Sequence, residues 1–264
     1  MEEMSRRHRP SVCIIGAGNV ATHLALALAA VADVRQVVSR HMASALRLGE
    51  RIGDGCVASD NPGDVLPGCD FYIISVNDDA VADVVRETPD WPGIWAHTSG
   101  SVPADVFRGK KCRYGVFYPL QTFTRDVDVD MKEVPFFIEG NDSDAEASLV
   151  SLAGRISSVV GIADSARRKS LHVAAVFACN FANLMWMEAD EILRGEGLDV
   201  NYLMPLLSAT LGKLRNVSPR DAMTGPARRG DTAIIESHLA MLPPEKREIY
   251  KLLSQRILNA FSNE

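Results

Sequence analysis

The sequence is short of positive charge and of cysteines arranged to bind metal or form disulfides. Its 264 residues carry a net charge of −6, which gives no general attraction for nucleic acid or for an anionic membrane. The five cysteines are odd in number and show no C-x-x-C or Cys/His ligand spacing, so we expect reduced thiols and no metal site. These absences argue against a nucleic-acid-binding protein, a metalloprotein and a disulfide scaffold.

Long apolar runs are also missing. Basic residues stand at positions 6–9 without the apolar segment that would follow them in a secretory signal, and no uninterrupted apolar run approaches the length of a bilayer span. We expect the basic group to be a frayed tail, the protein to be cytoplasmic, and no membrane partner. Two further basic groups occur at 167–169 and 228–229.

What the sequence does have is a glycine turn between an apolar strand and an apolar helix. In a G-x-G-x-x-A array the first glycine allows a tight turn, the second lets the backbone approach a pyrophosphate, and the alanine lets the helix pack close to the strand. The helix N-terminus then presents N–H groups to the phosphates. The alternatives are a turn that binds nothing and a Rossmann-like methyltransferase. The pattern predicts a dinucleotide site at Gly16, Ala17, Gly18, Asn19 and Val20.

No carboxylate stands where an NAD-binding chain usually holds the ribose 2′-hydroxyl, about 20 residues beyond the glycines. The second strand ends in Ser39-Arg40, and Asp33 lies at its opposite end. A hydroxyl and a guanidinium suit the 2′-phosphate of NADP. Because a charged hydrogen bond contributes about 1.5–3 kcal/mol, Arg40 would favour NADP over NAD by about 10- to 100-fold. The alternative is a solvated arginine in a loop.

Apolar runs alternate with helical segments through the first half of the chain, which predicts a parallel sheet covered by helices. Near Asp164 the pattern changes to helical periodicity punctuated by glycine and proline. We therefore predict an α/β protein with two domains: a Rossmann-type, mostly parallel sheet in residues 1–163 and an all-helical domain in residues 164–264. The expected strands are 11–15, 34–39, 71–76, 94–97, 114–117, 134–139 and 158–162, and the expected helices of the first half are 23–32, 43–52, 79–87 and 144–156.

Polar residues end several of these strands, at the edge where open α/β sheets bind ligands. Val76 and Asn77 would lie beside the linkage between adenine and nicotinamide, and Thr98 and Ser99 near the nicotinamide. The segment around Ser99 is equally well explained as a hydrogen-bonded turn. Tyr118 ends a further strand and is a candidate proton donor to the substrate, with plain packing as the alternative.

The helical half carries four hydrogen-bonding side chains on one predicted face. Steps of three, eight and three residues place Lys169, His172, Asn180 and Asn183 within an arc of about 100° on one long helix. His172 can act as a general acid or base, Lys169 can polarise a carbonyl, and the asparagines can orient a substrate, with an interdomain cleft as the expected location. The alternative is that these groups satisfy one another inside a core.

A second polar cluster follows the Gly-Pro turn at 225–226. Arg229 could hold a substrate carboxylate, and Asp231 could complete that substrate site or cap the next helix. Plain capping beside solvated arginines is the alternative.

Several motifs in order resemble a family of NADP oxidoreductases whose members join a Rossmann-like domain to a helical domain of unknown function. They are G-A-G-N-V-A, H-T-S-G-S, G-V-F-Y-P-L-Q-T-F, L-H-x-A-A-V-F-A-C-N-F and T-G-P-x-x-R-G-D. The resemblance implies a nucleotide-binding domain, a helical domain that often forms a dimer, and an active site between them. The first half is also similar to pyrroline-5-carboxylate reductase, deazaflavin-dependent NADP reductase and the β-hydroxyacid dehydrogenases.

Two departures keep the better-known mechanisms from being carried over. The β-hydroxyacid dehydrogenases have an asparagine four residues after their lysine, where Val173 follows Lys169 here. The pyrroline-5-carboxylate reductases have a sequence similar to V-K-P at the strand end where this chain has Asn77-Asp78. We expect an NADP(H)-dependent oxidoreductase, a homodimer, that acts on a small carbonyl, imine or hydroxy compound. The alternatives are a non-catalytic NADP-binding regulator and a methyltransferase that binds S-adenosylmethionine.

Overall fold

An eight-stranded sheet dominates the computed structural model, which describes residues 9–262. The strand order is β3-β2-β1-β4-β5-β6-β7-β8, and among these strands only β6 and β7 pair antiparallel. This is the Rossmann order 3-2-1-4-5-6 with two strands added at one edge, so the predicted fold class is confirmed. The strands are β1 Ser11–Ile15, β2 Asp33–Val38, β3 Val57–Ser59, β4 Phe71–Ile74, β5 Ile94–His97, β6 Arg113–Pro119, β7 Phe136–Gly140 and β8 Val160–Ile162.

Helices cover the sheet on both faces because alternate residues of each strand point in opposite directions. In β1, Val12 and Ile14 pack in one apolar cluster, while Cys13 and Ile15 pack in another. Both clusters are buried, which is why the strands have continuous apolar sequences. The helices between the strands are α1 Asn19–Ala29, α2 Met42–Ile52, α3 Asp78–Glu87 and α4 Ser143–Ile156.

Three local predictions in this region need correction. Strand β3 was not predicted, because three residues at a sheet edge are too few to show an alternating pattern. The first helix was predicted to begin at residue 23, whereas α1 begins at Asn19. The third was predicted to begin at residue 79, whereas α3 begins at Asp78 and its N-cap is Asn77. A single further helical residue at a helix start is a common error of pattern-based boundaries.

The rest of the chain is helical, as predicted. The elements are α5 Ser165–Ala175, a π-helical segment Val176–Phe181, α6 Ala182–Gly195, α7 Met204–Lys213, α8 Pro226–Arg229, α9 Thr232–Met241 and α10 Pro244–Phe261. The chain divides into two compact units, which we call the sheet unit, ending at Cys179, and the helical unit, beginning at Asn180. The predicted boundary at 163/164 falls earlier, between β8 and α5, and stays a prediction.

One helical stretch, Ser165–Gly195, is long and apolar enough to cross a membrane by length and composition alone, with a mean hydropathy of 1.3 in its most apolar window. It was not predicted, because polar residues interrupt its apolar runs. Length and composition are weak grounds, since core helices of soluble proteins pass the same test.

The predicted frayed tail falls mostly on positions 6–8, which lie outside the described residues. Arg9, the last member of that basic group, donates hydrogen bonds to the carbonyl oxygens of Ala29 and Ala32.

Candidate functional site

The glycine turn after β1 is wedged between the ends of two neighbouring strands. Gly16 has a φ of +129°, and a Cβ at this position would lie 2.0 Å from the carbonyl oxygen of Ser75. Its N–H donates to the carbonyl oxygen of Val38 at 2.7 Å. Only glycine combines this backbone conformation with such a close approach, so the turn has the shape that the sequence predicted.

Gly18 leaves open space at the start of α1. It is the exposed N-cap of that helix, no side chain caps it, and no atom lies within 4 Å of the place where its Cβ would be. The N–H groups of a first helical turn have no acceptor within the helix. Those of Asn19 and Val20 belong to that turn, and Ala17 is half-buried beside it. The residues present therefore fit a diphosphate, which would approach the backbone closely and accept from these N–H groups.

Ser39 and Arg40 lie between β2 and α2, close to this turn along the sheet edge. The N–H of Ser39 donates to the carbonyl oxygen of Ser59 at 3.0 Å, which fixes the backbone, and the Arg40 side chain is exposed. Asp33 begins β2 at the opposite end of the strand. Positions 39 and 40 therefore offer a hydroxyl and a cation where an NADP 2′-phosphate would bind.

A loop that the sequence analysis did not assign to the site packs on the glycine turn. After β6 the chain folds back so that Asn19 Nδ2 donates to the carbonyl oxygen of Phe123 at 3.1 Å, and His23 Nε2 lies 2.9 Å from that of Thr124. The Arg125 guanidinium donates at 3.2 Å to the carbonyl oxygen of the residue between the two glycines. The L-Q-T-F motif gave the signal for this loop, but nothing in sequence spacing brings it to a turn more than 100 residues earlier.

The ends of β4 and β5 form the next part of the edge. Thr98 and Ser99 are buried; the Thr98 hydroxyl donates to Ser75 Oγ at 3.1 Å, and Ser99 Oγ accepts from the N–H groups two and three residues later. This is the hydrogen-bonded turn that the sequence analysis kept as an alternative, and a role toward nicotinamide stays a prediction. Val76 is half-buried and Asn77 is exposed as the N-cap of α3.

Tyr118 of β6 and His172 of α5 meet at this same edge. The Tyr118 hydroxyl lies 3.1 Å from His172 Nδ1, Tyr118 is buried, and His172 is half-buried. A Cβ on Gly100, in the turn after β5, would lie 2.7 Å from that same nitrogen. Burial raises the pKa of Tyr118, so its hydroxyl keeps its proton at neutral pH. Two residues that the sequence pattern did not connect therefore form one hydrogen-bonded pair.

The other polar residues of the predicted helix face are exposed. Lys169 lies on α5, Asn180 in the π-helical segment and Asn183 on α6. The common arc was calculated for an uninterrupted α-helix, and that assumption is wrong for Val176–Phe181, where the i→i+5 pattern has a different number of residues per turn. Lys169 belongs to the sheet unit with His172, whereas the asparagines belong to the helical unit.

The remaining two candidates, Arg229 and Asp231, lie within the helical unit. Arg229 is exposed at the end of α8. Asp231 is the N-cap of α9, and its carboxylate accepts from the N–H of Ile234 at 3.3 Å. The capping alternative therefore describes Asp231, and a substrate role for either residue stays a prediction.

One helical turn before His172, a buried guanidinium is paired with a half-buried carboxylate of the sheet. Arg168 of α5 is 0% exposed and is bonded to Glu139 of β7. In sequence Arg168 is one of three consecutive basic residues, and nothing distinguishes it from its neighbours until the helix face that it occupies is known.

Two protein-family models match successive parts of the chain. Residues 2–112 match the family described as Rossmann-like domain, and residues 134–257 match the family described as domain of unknown function DUF2520. Among curated proteins, none matches the chain.

Solved structures match over nearly the whole length. The putative NADP oxidoreductase from Bacteroides fragilis is 38% identical, with a TM-score of 0.88 over 95% of this chain and 98% of that one. The reductive aminase from Aspergillus terreus, in complex with NADPH and ethyl-5-oxohexanoate, is 18% identical, with a TM-score of 0.73 over 96% and 94% of the two chains. The imine reductase from Myxococcus stipitatus, in complex with NADP+, is 15% identical, with a TM-score of 0.64 over 96% and 93%.

The last two likenesses show the fold alone. The identity and coverage of the first, together with the two domain matches in the expected order, carry the assignment. The chain belongs to the family of NADP oxidoreductases that join a Rossmann-like domain to a DUF2520 helical domain.

Proposed function

We propose that this protein is an NADP(H)-dependent oxidoreductase that transfers hydride to or from a small carbonyl, imine or hydroxy compound. The observation that carries the proposal is the 3.1 Å contact between the Tyr118 hydroxyl and His172 Nδ1, at the sheet edge that also carries the glycine turn. Fold alone does not give a function, whereas a proton-exchanging pair at the ligand-binding edge is what a carbonyl or imine reduction needs.

The cofactor's binding groups are shared between three segments of the chain. The turn at Gly16 and Gly18 and the first turn of α1 would hold the diphosphate, Ser39 and Arg40 would hold the 2′-phosphate, and Arg125 adds a cation beside the glycine turn. The nicotinamide supplies or accepts the hydride when it is bound. The protein's own contribution is to orient that ring and to manage one proton.

Tyr118 and His172 would manage this proton. In the reducing direction the substrate carbon gains a hydride, and the attached oxygen or nitrogen must gain a proton. The Tyr118 hydroxyl, kept protonated by the raised pKa that burial gives it, donates that proton, and His172 Nδ1 restores it. In the oxidising direction the same two groups take the proton from a hydroxy or amino substrate.

Two proteins of the same fold are named for chemistry of the proposed substrate class. The reductive aminase was solved with a keto ester and NADPH, and the other relative is an imine reductase. A carbonyl carbon and an imine carbon both accept hydride and both need one proton on the adjacent heteroatom, so one acid–base pair serves either. Arg229 is the candidate for a substrate carboxylate, with Lys169, Asn180 and Asn183 as further polar candidates.

Ligand-dependent thermal unfolding tests the cofactor and separates the alternatives. A ligand at about 100 times its Kd should stabilise the fold by about 2.7 kcal/mol. We expect NADPH to raise Tm strongly, and NADH and S-adenosylmethionine to have little effect. Arg40→Ala should reduce the NADPH shift, while Arg51→Ala, an exposed arginine at the far end of α2, is the matched control. A shift by S-adenosylmethionine alone would support the methyltransferase instead.

Turnover separates an enzyme from a regulator. With NADPH and a panel of small ketones, each with and without a primary amine, His172→Ala and Tyr118→Phe should abolish NADPH oxidation and leave the NADPH-induced Tm shift intact. Binding of NADPH with no turnover by the unmodified protein on any panel member, and a change of assembly state on binding, would favour the non-catalytic regulator.

We also propose that the protein is a homodimer formed through its helical unit. That unit carries many large apolar side chains exposed on the single chain, among them Leu184, Trp186, Met187, Leu206 and Leu211. A large number of exposed apolar side chains on one unit is typical of a surface that another protein covers. The homodimer is tested by the oligomeric state in solution, as discussed below.

A further inference from the structure

A network of polar contacts ties the beginning of α5 to the sheet. The Arg168 guanidinium is bonded to the Glu139 carboxylate of β7 and donates to the carbonyl oxygen of Val102 at 2.6 Å. Ser165, one turn earlier on the helix, donates to the same carboxylate at 2.9 Å and accepts from the N–H of Ala104 at 3.3 Å. The helix start is therefore fixed to β7 and to the turn after β5 together.

Stability alone is a poor explanation for this network. Arg168 is 0% exposed, and its Nε has no hydrogen-bond partner among the described residues. Removing a charge from water costs several kcal/mol, and a buried ion pair is often replaceable by apolar residues without loss of stability. What a buried guanidinium with several fixed partners does provide is a defined geometry.

The geometry that it defines is that of the Tyr118–His172 pair. His172 follows Arg168 by four residues on α5, so both lie on the same helix face. The turn that accepts from Arg168 at Val102 is also the turn in which Gly100 passes against the His172 ring. A shift of α5 along the sheet would therefore break the contact with Gly100 and the hydrogen bond to Tyr118 at the same time.

We propose that Arg168, held by Glu139, is a positioning residue that sets α5 so that His172 Nδ1 meets the Tyr118 hydroxyl. The proposal rests on the proposed function for its catalytic meaning, but the alignment itself exists without cofactor or substrate. In this role Arg168 acts by placing His172 and does not need to touch the substrate or the cofactor.

The same guanidinium acts on Tyr118 through space. Burial raises the pKa of Tyr118, the positive charge of Arg168 lowers it, and the carboxylate of Asp78 on α3 raises it again. On β7 and α5, Glu139 is paired with Arg168 and the exposed Lys169 follows Arg168 along the helix. Loss of the Arg168 charge should therefore raise the pKa of Tyr118, in addition to releasing the helix.

NMR spectroscopy of the full-length protein tests the proposal without any substrate. Tyrosines labelled with ¹³C at Cζ report the ionisation of Tyr118, assigned by its loss in Tyr118→Phe. Histidines labelled with ¹⁵N report the hydrogen bonding of His172 Nδ1, assigned by its loss in His172→Ala. The variants are Arg168→Met, Arg168→Lys and Glu139→Gln, with Arg167→Met, an exposed neighbour on the same helix, as the matched control.

In Arg168→Met we expect the His172 Nδ1 resonance to move to the position of an unpaired nitrogen and the pKa of Tyr118 to rise. In Arg168→Lys we expect the positive charge to keep the pKa of Tyr118 near its original value, while the Nδ1 resonance still moves, because an ammonium lacks the planar fork. In Glu139→Gln we expect the Nδ1 resonance to move as well. Arg167→Met should change neither signal.

An unchanged Nδ1 resonance in Arg168→Met, or an equal change in Arg167→Met, would overturn the proposal. Should Arg168→Met not fold, the other two variants carry the test, because Arg168→Lys keeps both charges of the pair and Glu139→Gln keeps the charge of Arg168. NADPH affinity, measured by the fluorescence of the bound dinucleotide, should change less than threefold in Glu139→Gln. If the unmodified protein does not bind NADPH, the proposed function is wrong. The resonances still test whether Arg168 positions His172, because they are measured without cofactor.

Discussion

The sheet unit and the helical unit bury their apolar side chains to very different extents. In the sheet unit both faces of the sheet are covered, and large side chains such as Leu24, Trp95 and Phe117 are wholly inaccessible. Among the described residues of the helical unit, from Asn180 to position 262, only Ala227, Ile235 and Ser254 are buried. The first unit has its own core, whereas the second presents apolar faces that a single chain leaves in water.

This difference indicates two sources of stability. The sheet unit is stabilised by packing within one chain, whereas the helical unit should be stabilised by association between chains. A buried core contributes through area removed from water within the chain, so its contribution does not depend on protein concentration. Apolar helix faces gain the same free energy only when another surface covers them, and the stability of such a unit rises with concentration. The proposed homodimer is therefore expected to be coupled to the folding of the helical unit.

Removal of a core side chain from the sheet unit should have the largest effect. Leu24→Ala on α1 should lower the free energy of unfolding by about 2–5 kcal/mol, because the buried site cannot collapse completely. Urea titration checks this, with Trp186→Phe as background so that Trp91 and Trp95 report on the sheet unit alone. The loss should be the same at every protein concentration. A loss that grows on dilution would mean that the sheet unit also depends on association.

Charge introduced on the apolar surface of the helical unit should have the next largest effect. Leu211, 61% exposed, is expected to be covered in the dimer, and Leu211→Glu should cost about 2 kcal/mol or more of association free energy, a rise of about 30-fold in the dimer Kd. Sedimentation velocity across a dilution series measures it. Leu46, 48% exposed on α2 of the sheet unit, is the matched control, and Leu46→Glu should leave the dimer Kd unchanged. A monomeric unmodified protein at micromolar concentration would contradict the proposed dimer.

Acid should weaken the sheet unit through His97. Burial, assisted by the positive charge of Arg168, lowers the pKa of His97 from 6.5 to about 3, and the residue is 0% exposed. The unfolded chain therefore binds a proton near pH 6.5 that the folded chain does not bind until about pH 3. Stability is fully present above pH 6.5 and falls below it by about 1.4 kcal/mol per pH unit from this group.

His97→Asn is the variant that isolates this effect. An asparagine keeps an acceptor near the position of Nδ1, which accepts from the N–H of Ser99 at 3.2 Å, but it does not titrate. Urea titrations between pH 7 and pH 4.5, on the Trp186→Phe background, should give a shallower pH dependence for the variant. Equal slopes for the two proteins would show that His97 becomes charged without unfolding the sheet unit.

The sequence was a good guide to the sheet unit and a poorer one to the helical unit, for a physical reason. Burial on both faces makes β1, β4 and β5 continuous apolar runs between turn signals, and the glycine turn has few alternative structures. The family assignment also confirms the predicted enzyme class and the predicted cofactor at the level of the family. The π-helical segment Val176–Phe181 has no sequence signal, because the i→i+5 pattern uses the same residue types as an α-helix.

Within the candidate site, sequence identified side chains more reliably than their partners. Tyr118 and His172 were both named, yet their contact joins residues 54 positions apart and depends on the topology that brings α5 over the end of β6. Arg125 and Glu139 were missed for the same reason. Spacing along one helix or strand predicts a shared face, but contacts between elements distant in sequence follow from the fold.

The smallest expected effect is the loss of stability when one hydrogen bond is removed from a histidine–tyrosine pair. Each unit has one such pair. In the helical unit His238 Nδ1 lies 2.6 Å from the Tyr250 hydroxyl, between α9 and α10. Tyr250→Phe and Tyr118→Phe each remove one hydrogen bond, and each should cost about 0.5–1.5 kcal/mol of stability. If the Tyr118 pair handles the proton, only Tyr118→Phe should also abolish NADPH oxidation on a substrate found in the panel. Equal losses of turnover in the two variants would mean that both act through stability, and would remove the ground for assigning proton transfer to Tyr118.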